Sequence, residues 1–442
     1  MKDSGVAWLG EIPGDWRTAR IVRVARLESG HTPSRQVSDY WKPEECTIPW
    51  FSLADVWQLR SGRQEYLGET AEKVSPAGIA NSSARLLPQG TVVLSRTASV
   101  GFSGIMPVPM ATTQDFANWV CGELLAPEYL LYVLRSMRHE FEHMTQGSTH
   151  QTIYMPDLKK LAIPLPPRAE QEGIVRRIRA RTVAIDAAIA DHERNLDLLA
   201  ERRRTLISHA VTRGLDPKAT MRDSGVAWIG PIPSTWGAAR IVRVARLESG
   251  HTPSRQVAAW WKPEECTIPW FSLADVWQLR SGRQEYLGET SEKVSPAGIT
   301  NSSARVLSAG TVVLSRTASV GFSGIMPEPM ATTQDFANWV CGELLAPEYL
   351  LYVLRSMRHE FEHMTQGSTH QTIYMPDLKK LAIPLPPMAE QRAIVAFVRE
   401  RTAPIDAAEE KTRRAIELLR EYRQSLITAA VTGRLAPESP AS

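Results

Sequence analysis

Between residues 169 and 211 the apolar positions keep a period of seven. Ile178, Ile185, Leu199 and Leu206 fall at intervals of seven or fourteen, and Val398, Ile405, Leu419 and Leu426 repeat the phase near the C-terminus. His192 and Thr412 interrupt the two stripes at the same level. A seven-residue spacing kept over four heptads predicts coiled-coil helices with these apolar residues as the seam. "PLPP" blocks each helix upstream, because proline in a helix interior removes a backbone hydrogen bond and clashes with the preceding turn. "TRGL" and "TGRL" place a glycine at the other end, where it can stop a helix. Each rod of about 43 residues spans about 64 Å at 1.5 Å per residue. The remaining pattern is mixed. "TVVLS" (91–95) and "FANWVC" (116–121) read as strands. Residues 127–145 read as one amphipathic helix, with Pro127 in its first turn and Leu130, Leu134, Met137, Phe141 and Met144 on one face. Loops rich in Gly, Ser and Thr fill the rest: "SGHTPSRQ", "SRTASVGFSG" and "TQGSTHQT".

The same text occurs twice. "DSGVAWLG" at 3–10 returns as "DSGVAWIG" at 223–230, and at that offset of 220 residues 17–168 and 237–388 differ at twelve positions. The least conservative cluster of changes sets "SDYW" (38–41) against "AAWW" (258–261). So long a period is a tandem copy of a whole domain, not a solenoid repeat. The expected order is a head over 1–167, a rod over 168–213, a linker over 214–220, a second head over 221–387, a second rod over 388–433 and a flexible tail over 434–442. About ten residues lead from Val211 into the second head, which finishes at Pro387 before its rod begins. A head beyond the far end of the first rod forces the second rod to run back. The fold class is therefore α+β: two mixed α/β heads joined by two long α-helices in an antiparallel coiled coil, with pseudo-two-fold symmetry. An approximate two-fold axis carrying matched heads suits duplex DNA, whose half-sites recur on one face.

Composition narrows this picture little. Apolar residues make up 43% and charged residues 22% of the 442, as in an ordinary globular protein. The net charge of +3 excludes a strongly basic nucleic-acid binder on composition alone. Cys46, Cys121, Cys266 and Cys341 form no pair at metal-ligand spacing and read as small buried hydrophobes in a reducing, cytoplasmic setting. No signal peptide, membrane-spanning run or metal site is expected. Asp115, His150 and Cys46 have no activating spacing, so no catalytic set is assigned.

Base readout uses Arg, Lys, Asn, Gln, Ser and Thr, and loops can follow a groove. The first candidate is "QGSTHQTIY", which offers Gln146, Ser148, Thr149, His150, Gln151 and Tyr154, repeated as Gln366, Ser368, Thr369, His370, Gln371 and Tyr374. The plain reading is a surface loop between helix and strand. Next come Arg96 and Thr97 (Arg316 and Thr317) after an apolar strand, where the arginine either takes a guanine bidentately or pairs with a carboxylate. Arg35 and Gln36 (Arg255 and Gln256) follow a "TPS" that also reads as a shape-giving turn. Lys159 and Lys160 (Lys379 and Lys380) are candidate phosphate contacts or a solvated face. On the first rod, Arg176, Arg177, Arg179, Arg181 and Arg202 to Arg204 read as exposed basic clusters. The tryptophans, Trp41, Trp50 and Trp57 among them, read as core and interface anchors.

The chain resembles the specificity subunits of type I restriction–modification systems. The resemblance rests on the paired "DSGVAW" openings, the "SGHTPS" loop, and "IPLPPRAEQEGIV" with "IPLPPMAEQRAIV" opening the long helices, and it spans the whole chain. It implies a non-catalytic subunit whose heads are target-recognition domains reading the two halves of a bipartite site in double-stranded DNA. It implies two methyltransferase subunits and two ATP-driven endonuclease subunits as partners, in the cytoplasm of a bacterium or archaeon. S-adenosylmethionine, ATP and Mg would belong to those partners and no cofactor to this chain. Methylation, usually of adenine, would fall in each half-site. Heads of that family usually differ; here they match, so the target is expected to be an interrupted palindrome. The competing readings are a stand-alone bivalent DNA-binding regulator and a protein-interaction scaffold.

Overall fold

The computed structural model describes residues 1–97, 99–145, 152–317, 319–365 and 372–435. Contacts divide the chain into two compact units, Met1–Glu193 with Arg414–Ser442, and Arg194–Arg413. The sequence separates head from rod. The contacts instead give each head the start of its own rod and the end of the other.

In the first unit, strands β1 (Lys2–Asp3) and β2 (Glu11–Ile12) pair, and β3 (Arg17–Arg20) pairs with the late strand β11 (Ala162–Leu165). β4 (Ala25–Ser29), β7 (Val92–Ser95), β8 (Ser103–Ile105) and β10 (Phe116–Cys121) form an antiparallel sheet in the order β4-β10-β7-β8. β5 (Ile48–Phe51), β6 (Glu72–Val74) and β9 (Ala111–Thr112) form a second, mixed sheet in which β5 and β9 are parallel. β10 is buried on both faces. Ala117 and Trp119 enter the core shared with the helices, while Phe116 packs with Phe51, Leu59, Val93 and Met106 between the sheets. This alternation is the period-two signal of "FANWVC".

Helix α1 (Pro76–Ala80) is short. The helix expected over 127–145 is two, α2 (Pro127–Ser136) and α3 (Arg138–Thr145), broken at Met137. There the Met137 N–H donates to the Leu134 carbonyl, a tightened last turn, while the Phe141 N–H still reaches the Met137 carbonyl. The apolar face therefore continues across the break, although Met144 is exposed. A four-residue helix α4 (Met155–Leu158) precedes β11. The second unit repeats these elements at the same offset, including α6 (Pro296–Thr300), α7 (Pro347–Ser356), α8 (Arg358–Thr365) and α9 (Met375–Leu378).

The long helices are α5 (Arg168–Arg213) and α10 (Met388–Val431); the second stops two residues before the 433 expected. The "AEQ" box that opens them is a buried anchor. Gln171 is fully buried; its amide oxygen accepts from the Ala126 N–H at 2.8 Å, and its amide nitrogen donates to the Leu124 and Pro166 carbonyls. Gln391 repeats all three bonds. Trp16, six residues past the opening motif, donates its indole N–H to Glu170 at 3.0 Å. The head is thus stitched to the first turn of its rod.

Within each unit the rods run antiparallel. In the first, Asp186 faces Arg423 and Glu193 faces Arg420. In the second, Asn195 faces Thr412 and Arg203 faces both Asp406 and Glu409. Of the expected seam, Ile178, Ile185, Val398, Ile405 and Leu426 are buried, whereas Leu199, Leu206 and Leu419 are half-buried. The complementary heptad position mixes aliphatic residues with polar and charged ones: Thr182, Ile189, Leu196, Arg203 and Ala210 on α5, and Thr402, Glu409, Ile416, Arg423 and Ala430 on α10. Arg203 is therefore not part of an exposed basic cluster; it is buried in the seam against two carboxylates. Pro404 lies inside α10, where α5 has Ala184.

Head and rod also share an ionic contact. Glu65 accepts from Arg179 at 3.0 and 2.6 Å and from the Tyr132 hydroxyl at 2.6 Å. Burial alone would push this carboxyl up; the Arg179 and Tyr132 bonds outweigh it and hold it below its ordinary 4.5. Glu285 repeats the arrangement with Arg399 and Tyr352. The four cysteines, expected to be buried, are all half-buried, and burial pushes the Cys121 and Cys341 thiols up to about 12. Of the tryptophans, Trp50 and Trp119 are core, Trp41 is half-buried and Trp57 is 65% exposed. Trp57 sits on the outer side of a 3-10 turn, Leu53–Leu59, whose inner positions are taken by Val56 and Leu59. Among the described residues no helix is long and apolar enough to cross a membrane.

Candidate nucleic-acid interface

Four polar segments far apart in sequence meet at one end of the central sheet of each head. The approach is tight at Gly30: a Cβ there would lie 1.9 Å from the Thr113 carbonyl oxygen. This is why "SGHTPS" needs its glycine. The His31 N–H donates to the Thr112 carbonyl at 2.9 Å. The Thr32 hydroxyl then donates to the Gln114 amide oxygen at 2.7 Å. Asp115 pins the third segment, accepting from Thr97 Oγ1 at 2.8 Å and Thr113 Oγ1 at 2.9 Å, while its carbonyl takes the Arg96 N–H. The fourth segment joins through the Ile153 N–H, which donates to the Arg96 carbonyl at 2.9 Å. Arg96, Thr97, His31, Thr32 and Gln114 therefore share one surface, with Tyr154 one residue past the last contact.

The individual candidates differ in how free they are. Thr97 is held by Asp115. The Arg96 Nε is buried with no hydrogen-bond partner among the described residues, while its counterpart Arg316 donates from Nε to the Gln334 carbonyl and from Nη1 to the Ile373 carbonyl. In place of the carboxylate that one of the two readings of this arginine offered, the second head supplies backbone carbonyls. Arg35 is committed elsewhere: it donates to Glu72 at 3.0 and 2.6 Å and stacks 3.7 Å from the Trp41 ring. Arg255 makes the same contacts with Glu292 and Trp261. Both arginines stay about half exposed, so they present a fixed, stacked cation on the rim. Gln36 and Gln256 are exposed beside them.

Tyr154 and Tyr374 are more than half exposed. Lys160 pairs with Asp157 at 2.8 Å and Lys380 with Asp377; Lys159 and Lys379 are exposed and make no ion pair among the described residues. Gln146, Ser148, Thr149, His150 and Gln151, and Gln366, Ser368, Thr369, His370 and Gln371, lie outside the described residues.

Sequence reasoning missed Gln114 and Gln334. Each is exposed, with its amide oxygen occupied by a threonine and, among the described residues, two amide N–H donors left. Their only sequence signal is the polar "TTQD" interrupting two strands. Among the described residues no group of three or more His, Cys, Asp or Glu is placed to hold a metal ion.

The surface is polar, donor-rich and duplicated, and comparison with known proteins gives it a context. The family described as "Type I restriction modification DNA specificity domain" matches residues 13–188 and 233–418. The type I restriction enzyme MjaIX specificity subunit of Methanocaldococcus jannaschii is 22% identical over 440 residues, covering 97% of this chain and 96% of its own. The EcoprrI specificity subunit of Escherichia coli is 27% identical over 150 residues, 33% of this chain and 35% of its own. A solved chain from a structure describing complex assembly and conformational transition of the type I R-M system superposes with a TM-score of 0.65 at 19% identity. The match covers 96% of this chain and all of that one, and the likeness shows the fold.

Proposed function

The chain belongs to the type I restriction–modification DNA specificity family, and we propose that it reads one interrupted palindromic site with two copies of a single reader. It is a DNA sequence-recognition subunit and not a catalyst. The observation that carries the proposal is the near-identity of the two heads. They differ at twelve positions over residues 17–168 and 237–388, and every candidate contact from Gly30 to Tyr154 has its like at the same offset. Matched heads that face opposite DNA strands would both read the same half-site. Phosphate contacts from Lys159 and Lys379 would set register, and Arg96, Gln114 and the segment from Gln146 to Gln151, with their counterparts, would read bases.

In this reading the subunit works with two methyltransferase subunits and two endonuclease subunits. S-adenosylmethionine, ATP and Mg act there, while this chain positions DNA. The low net charge of +3 fits a chain whose partners add to the grip on phosphate. Methylation sequencing of a host expressing the assembled complex tests the proposal. The expected result is one gapped motif equal to its own reverse complement, modified on both strands. Two unrelated half-sites would overturn it.

A further inference from the structure

Each head meets its rods around a cavity that the DNA-reading surface does not use. In the first unit it is about 900 Å³, and in the second about 540 Å³, both within the range of small-ligand sites. The head supplies the same walls in both: the turn 59–62 or 279–282, the turn 100–103 or 320–323, and the arginines on α2 and α3 or α7 and α8. The rod walls have diverged, yet each cavity still gathers six arginines against three carboxylates.

In the first cavity, Asp186 is taken by Arg423 and Glu142 by Arg138. Arg135 is buried and donates only to the carbonyls of Gly62, Gln64 and Ser103 among the described residues. With no carboxylate bonded to it, burial lowers its pKa to about 10: it is a cation short of a counter-charge. Arg60 is exposed on the wall and makes no ion pair among the described residues. Ser103, only 2% exposed, lines the same cavity, and its buried hydroxyl has no hydrogen-bond partner among the described residues. Ser323 repeats this in the second unit. A buried hydroxyl left unpaired in both copies is costly without a partner.

We infer that these cavities bind a small phosphate-bearing anion. Arginine forks recognise phosphate oxygens bidentately, and a serine hydroxyl beside them donates one bond more. The wall at Val100–Ser103 is the far end of the segment that begins with Arg96 and Thr97, so an occupant braces the reading loop from behind.

Calorimetric titration of the full chain with pyrophosphate at low salt tests this. The expected result is saturable binding that weakens about tenfold at the first site in each of Ser103→Ala and Arg60→Gln, the loss of one charge-assisted hydrogen bond. Ser323→Ala and Arg280→Gln weaken the second site. Arg26→Gln, an exposed arginine outside the cavity, leaves binding unchanged. Repeating the titration on chain saturated with duplex DNA separates two sources of the phosphate. Displacement identifies the DNA backbone, and simultaneous binding a free ligand. No saturable binding at about 10 mM pyrophosphate, or binding indifferent to all four cavity variants, overturns the inference.

Discussion

Asp186→Ala should unfold the first unit disproportionately. Arg423 sits in the seam with its side chain 10% exposed, and Asp186 answers it with two hydrogen bonds, at 2.9 and 3.3 Å. Removing the carboxylate leaves a buried guanidinium without its charge partner, a class of change that costs about 3–5 kcal/mol. Asp186 itself is 24% exposed, so water reaches the gap and the low end, about 3 kcal/mol, is expected. For a unit of this size that is a fall of about 6–12 °C in the midpoint of its calorimetric transition. Arg203 provides a contrast. It keeps Glu409 at 3.6 Å when Asp406 is removed, so Asp406→Ala should cost only about 1–2 kcal/mol. Replacing the whole pair, Asp186→Leu with Arg423→Met, should return stability to within about 1 kcal/mol of the parent, because an apolar pair fills the seam without desolvation cost. Differential scanning calorimetry of the full chain checks all three. A loss under about 1 kcal/mol in Asp186→Ala, as for a solvent-screened surface pair, would refute the reasoning.

Further tests follow from the heads. Glu65→Gln removes a carboxylate whose folded value lies below 4.5. Its contribution, about 2 kcal/mol, is complete above that pH and is lost as pH falls through the folded value. Thermal midpoints of parent and variant measured from pH 7 downward should therefore converge below 4.5. Gly30→Ala drives a methyl into the Thr113 carbonyl; about 3 kcal/mol of stability should go, with DNA binding by the assembled complex falling alongside. Gln114→Ala with Gln334→Ala removes one donor pair from each half-site and should weaken binding to the recognised site by roughly 1–3 kcal/mol per half without moving the thermal midpoint, as read by gel shift and calorimetry.

The rods were legible because one heptad position is apolar throughout, apart from His192 and Thr412. Its complement was less so, because Thr182, Arg203, Glu409 and Arg423 break its apolar pattern; Arg203, Glu409 and Arg423 belong to the seam through antiparallel ion pairs that only the folded chain brings together. The break at Met137 was hidden for a related reason: one tightened turn keeps Leu130, Leu134, Met137 and Phe141 on one face, so periodicity runs through it. The "PLPPxAEQ" box was visible as a boundary, but the burial of Gln171 that explains it was not. In the interface, glycine and threonine marked the loops. Gln114 escaped because its significance lies in Thr32, 82 residues away in sequence, and no local pattern encodes that meeting.

Pro404 gives the second rod a weakness the first does not share. A proline there contributes no N–H to the carbonyl one turn back, so the ladder of α10 lacks a rung that α5, with alanine, retains. Just beyond it, Asp406 and Glu409 are gripped by Arg203 from the opposite helix and Arg283 from the head. The turn after the gap thus leans on borrowed side chains. Amide exchange should quicken first around 400–404, and the two near-duplicate halves of this chain will part company in how they breathe before they differ in what they bind.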